Sequence, residues 1–167
     1  SLGSKPAGMV VSNGARATLV DTRIVESWNV GLEVSGGSAA TVELVDVFAT
    51  HAGDLSEGTG VVVLDGSTLQ AADLAVDGSS LYGIAADGDG TVVDLQGGSV
   101  EHSVPSSAEA TAGIGLVASG GASVTATDLR ISENHVYGAV VSDPGSELVL
   151  TDVDVLDTAP SDLSTIG

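Results

Sequence analysis

Cysteine is absent from the 167 residues, which excludes disulfides and thiolate metal sites and leaves the redox compartment unspecified. Phe, Trp and Tyr together number only four, so no core can be built on large rings. Cations are equally scarce. Four Lys and Arg stand against 23 Asp and Glu, and the net charge of −19 excludes a nucleic-acid partner. No run of 18 apolar residues occurs, so nothing reads as a membrane-spanning helix. An amphipathic period of helical length is missing as well, which argues against alternating strands and helices.

What remains is Val, Leu, Ile and Ala, with 23 glycines, roughly twice ordinary usage. Hydrophobic residues make up 43 % of the chain, too many for a disordered acidic tail. The length suits one domain with its own core.

Internal repetition organises the chain. A glycine followed by an alternating apolar segment recurs at Gly8, Gly31, Gly60, Gly83, Gly113 and Gly138, at intervals of 23, 29, 23, 30 and 25 residues. Each segment runs into a turn of small residues, such as Ser12-Asn13-Gly14, Asp65-Gly66-Ser67 or Asp143-Pro144-Gly145. A second alternating strand follows, with Ala17-Leu19, Val42-Leu44, Leu69-Ala71, Val93-Leu95, Val124-Ala126 and Leu148-Leu150 turned inward. It ends at Asp21, Asp46, Asp73, Gly97, Asp128 and Asp152. A third strand then points Ile24, Ala49, Val76, Val100, Ile131 and Val155 inward.

Three short strands per repeat describe one coil of a parallel β-solenoid, in which neighbours share hydrogen bonds at a spacing of about 4.8 Å. No coil can bury its apolar face alone, and a narrow bore suits small aliphatic residues. A sandwich of antiparallel strands would give no sixfold repeat with aligned glycines.

The pattern Gly-apolar-x-apolar, small turn, alternating strand, Asp, alternating strand resembles the pectin-lyase-like superfamily over residues 8–158. That resemblance implies an all-β, right-handed three-sheet parallel β-helix of about six coils. The expected organisation is a single domain over 1–167, a fragment or module of a larger protein, because neither end offers a substantial cap. It also implies an extracellular or cell-surface setting. The superfamily includes lyases, hydrolases and noncatalytic surface modules, so the fold does not choose among them.

Two repeats carry insertions, at 51–59 and 104–112, which are expected to stand as walls beside the third coil. Five residues past the aspartate position lies a column of Glu26, His51, Gly78, His102, Glu133 and Asp157. This alignment puts His51 and His102 about 10 Å apart with Glu133 beside His102. Imidazole beside carboxylate is the ingredient of acid–base work, making His51, His102 and Glu133 the catalytic candidates. The other reading is that all three are ordinary exposed loop-edge residues. Trp28, Tyr82 and Tyr137, each within three residues of a repeat glycine, and His135 are the ligand-stacking candidates; the competing reading has the rings packed over a seam.

The outward positions of the first strand read Val10, Glu33, Val62, Ala85, Gly115 and Val140, which is too apolar for a catalytic groove and is expected to be covered. Arg23 and Arg130 share a repeat position, where they would offset local acidity. Asp87-Gly88-Asp89-Gly90 offers oxygens of the kind calcium takes but lacks a distal Glu, so no metal or other cofactor is assigned. The leading expectation is a noncatalytic β-helix module for interaction or display, with a polysaccharide or another protein domain as partner. Self-association through the first sheet or the terminal coils is also expected. The alternative is a carbohydrate-active lyase or hydrolase with its cleft between loops 51–59 and 104–112.

Overall fold

Glycine-flanked apolar alternation does produce strands, and only strands, among the described residues. The computed structural model describes residues 7–48, 58–105 and 113–158. The first four repeats give β1 (Met9–Val11) and β2 (Arg16–Val25), β3 (Val30–Val34) and β4 (Ala39–Phe48), β5 (Thr59–Leu64) and β6 (Thr68–Asp77), β7 (Tyr82–Asp87) and β8 (Val92–Glu101). The last two give β9 (Ile114–Ser119), β10 (Ser123–Thr127) and β11 (Arg130–Ser132), then β12 (Tyr137–Val141), β13 (Glu147–Thr151) and β14 (Asp154–Leu156).

Two stacked sheets result. One has the order β1-β3-β5-β7-β9-β12, the other β2-β4-β6-β8-β10-β13, with β11 bonded to β8 and β14. Every described pairing is parallel. The expected second and third strands are therefore not separate in the first four repeats. They run on as single ten-residue strands, bent in the middle.

The bend is one residue in the left-handed region. Asp21 (φ 47°), Leu44 (53°), Asp73 (51°), Gly97 (71°), Asp128 (54°) and Asp152 (51°) occupy it in successive repeats. Aspartate and glycine, like asparagine, tolerate that conformation better than most residues, so the aspartate column follows from backbone geometry. It also corrects the second repeat, because Leu44 and not Asp46 takes the bend. Strict alternation reads Leu44 as core, yet Leu44 is 54 % exposed. The bend resets the alternation by one residue, so the true inward positions are Ala40, Val42, Val45 and Val47. Val47, rather than Ala49, registers with Ile24 and Val76.

A second slip lies in the fifth repeat. Tyr82 registers with Ile114 and Ile84 with Leu116, so Gly115 stacks on Gly83 and Gly138, and Gly113 does not. The spacing of the glycine column is then 23, 29, 23, 32 and 23 residues. These glycines are required by close approach. A Cβ on Gly83 would overlap Val100 Cγ1 and lie 2.6 Å from the Gly115 carbonyl oxygen. Val117 replaces Gly115 as the outward residue of β9. In that outer row Ala85 and Val117 are only 9 % exposed, whereas Val10 at its end is 50 % exposed.

The core between the sheets is aliphatic throughout, with Leu32, Leu69, Leu74, Ile84, Leu95, Leu116 and Ile131 essentially inaccessible. Its corners are lined by buried hydroxyls and one amide. Ser67 Oγ accepts from Ser38 N–H at 3.1 Å, and Thr91 Oγ1 accepts from Gly66 N–H at 3.1 Å. At another corner Asn134 accepts from Ser103 N–H (3.0 Å) and donates to the Val100 carbonyl (3.2 Å), tying two repeats together.

Candidate functional site

A second left-handed column follows the third-strand segment and positions the titratable groups. Glu26 (φ 53°), Gly78 (74°), His102 (53°), Glu133 (56°) and Asp157 (51°) turn the chain there. Hydrogen bonding continues through it, as His102 N–H reaches the Ser132 carbonyl (3.3 Å) and Glu133 N–H the Leu156 carbonyl (3.2 Å). The side chains at this corner project outward, so those of His102 and Glu133 are about half exposed. In the second repeat Phe48, in register with Val25 and Asp77, is the last residue described before the insertion. His51 lies outside the described residues, as do most of the two insertions. The pairing drawn between His51 and His102 rested on Asp46 as the bend and loses its alignment.

His102 is held from both sides. Its Nδ1 is 2.7 Å from Asp77 Oδ1 of the preceding repeat, and its Nε2 is 2.9 Å from Glu133 Oε2 of the following one. The hydrogen bond and charge of Asp77, with those of Glu133, raise the His102 pKa above its ordinary value, against a smaller opposing effect of burial. In the imidazolium form both ring nitrogens donate, which suits two carboxylate acceptors. Glu133 is the neighbour the sequence pointed to. Asp77 was missed, since it sits one residue before the column and reaches across to the next repeat.

Beside this triad Arg130 Nε lies 3.1 Å from Glu101 Oε1, and Ser132 Oγ donates to the same oxygen at 2.9 Å. Arg23 Nε lies 3.7 Å from Asp46 Oδ2. Both arginines thus meet carboxylates on neighbouring strands.

His102, Val104, Glu133, His135 and Asp157 line one shallow depression of about 430 Å³. It gathers His135 from the ligand-stacking candidates with His102 and Glu133 from the catalytic ones. The aromatic candidates do not join it. Tyr82 and Tyr137 flank Ile114 from opposite sides in the first sheet, and exposed Trp28 lies in the first repeat between β2 and β3. The Asp87–Gly90 segment is a turn in which Asp87 accepts from Ser119 Oγ (2.8 Å) and its carbonyl from Thr91 Oγ1 (2.9 Å). Among the described residues no group of three or more His, Asp or Glu is arranged to hold a metal ion.

Comparison with protein families, with curated proteins and with solved structures finds no match for this chain.

Proposed function

We propose that the chain is a right-handed parallel β-helix of about six coils, resembling the pectin-lyase-like superfamily. In this reading it acts as a noncatalytic extracellular or cell-surface module for interaction or display. One observation carries the noncatalytic reading: both ring nitrogens of His102 are engaged by carboxylates of the chain itself. A general base needs a ring nitrogen free to meet the substrate proton, and a general acid needs a proton that faces the substrate. His102 offers neither, and its triad works as a clasp across three repeats. A polysaccharide or another protein domain is the partner. The net charge of −19 favours a neutral or cationic glycan over a polyanion.

The depression shared by His102, Glu133, His135 and Asp157 favours a second reading, a carbohydrate-active lyase or hydrolase. One experiment separates the two. Neutral, cationic and anionic polysaccharides are incubated with the protein while new reducing ends and unsaturated products are followed, and binding is measured by affinity electrophoresis. Retardation without product supports the module; product formation that disappears in His102→Asn establishes the enzyme.

A further inference from the structure

At two register positions the two ends of the fold carry opposite charges, while the bend and corner columns carry carboxylates at both ends (Asp21 and Asp152, Glu26 and Asp157). Following the register from strand to strand, Arg16 stacks through Ala39, Thr68, Val92 and Ser123 onto Glu147. Arg23 stacks through Asp46, Ala75, Ser99 and Arg130 onto Asp154. All four end residues are exposed. Residues 131–158 contain no Lys or Arg, so the last described repeat is purely acidic. Within the chain this second column already joins Arg23 to Asp46 across adjacent strands.

The acidic end is also open. Val141, Leu150 and Val155 are 51, 39 and 45 % exposed, although Ala118, Ala126 and Ile131, their partners one strand back, are fully buried. Among the described residues β12, β13 and β14 are paired on one side only. Such an edge is a template for a further parallel strand.

We propose that this end receives the arginine-bearing first repeat of a second copy of the chain, head to tail. In that joint β1 and β2 of one copy continue the sheets of the other, and Arg16 and Arg23 meet Glu147 and Asp154. Val11, Leu19 and Ile24 fall on Val141, Leu150 and Val155, which are the same inward columns. The joint rests on the β-helix reading above, because only a continuing winding repeats both columns. Val11, Leu19 and Ile24 are already only 4, 5 and 8 % exposed, so on that side the joint gains little apolar burial. The contact is therefore weak, with a Kd on the order of 0.1–1 mM. Because the two surfaces differ, association gives open chains of increasing length and no closed dimer.

Sedimentation velocity of the 167-residue chain from about 20 µM to about 2 mM tests this. The expected result is a sedimentation coefficient that rises steadily with concentration. Arg16→Glu/Arg23→Glu and Glu147→Arg/Asp154→Arg should each weaken self-association at least about tenfold, and mixing the two variants should restore it. Restoration shows that both variants are folded. A wild type that stays monomeric, a concentration-independent dimer, or variants that associate like wild type would overturn the joint. Far-UV circular dichroism separates the two readings: a monomer with an all-β spectrum removes the joint alone, whereas a helical spectrum removes the β-helix as well.

Discussion

Asp77 and His102, 25 residues apart in sequence, meet at 2.7 Å because each strand lies directly beside its counterpart in the next repeat. With Glu133 completing the clasp at 2.9 Å, one imidazole fastens three consecutive repeats at an exposed corner.

Stability should therefore depend on pH through His102. Its pKa is raised in the folded protein, chiefly by Asp77. The folded state binds the proton more tightly than the unfolded chain, so this contribution is complete below the unfolded value of about 6.5. It is lost as pH rises through the folded value. Urea unfolding from slightly acidic to alkaline pH should show wild-type stability declining across that window, with the slope flattened in His102→Asn. Asn is the apt replacement because it tolerates the left-handed backbone. NMR titration of the ring protons should give a lower pKa in Asp77→Asn than in wild type, and an unchanged value would remove Asp77 as the main cause.

Leu44 is an exposed leucine at φ 53°, in a column otherwise filled by Asp and Gly. Leu44→Asn and Leu44→Gly should each raise stability by about 1 kcal/mol, since the left-handed conformation crowds Cβ against the following carbonyl oxygen, a strain that Gly lacks and the short polar Asn side chain offsets by local hydrogen bonding. Asn adds no charge to an acidic surface. Loss of stability in both variants would show that Leu44 makes a contact outweighing its strain.

Gly83→Ala should destabilise by about 1–3 kcal/mol through overpacking, because the added methyl meets Val100 Cγ1 and the Gly115 carbonyl. Val100→Ala opens only one of those contacts. In the double mutant it should recover part of the loss, a coupling visible in a double-mutant cycle by thermal unfolding.

Asn134 is fully buried and is hydrogen-bonded to backbone groups at Ser103 and Val100. Asn134→Ala strands the Ser103 N–H away from water and should cost about 1–3 kcal/mol. Hydrogen exchange should show the Ser103 amide losing protection beyond the global change.

Much of the architecture was legible in the sequence. Glycine spacing, period-two alternation and the small-residue turns specified an all-β chain of parallel strands, since local pattern follows strand geometry directly. The adjacency of His102 and Glu133 was legible too, because the Gly97 and Asp128 bends align as the sequence suggests. The second repeat and the first strand of the fifth were not. Leu44 hides a backbone bend behind an apolar side chain, and Gly113-Ile114-Gly115 offers two phases for one glycine. A period of two cannot distinguish a strand from the same strand shifted by two residues; only inter-strand hydrogen bonding fixes that choice.

Composition and pattern by themselves determined the kind of secondary structure, the aliphatic core and the acidic surface. The tertiary structure decided the phase of each repeat, and with it which side chains stand next to one another. It brought Asp77 to His102, removed the basis for pairing His51 with His102, and placed Arg16 and Glu147 at equivalent positions on opposite ends. The physical reason is that a column across strands is a long-range property, set by register, whereas alternation along a strand is local.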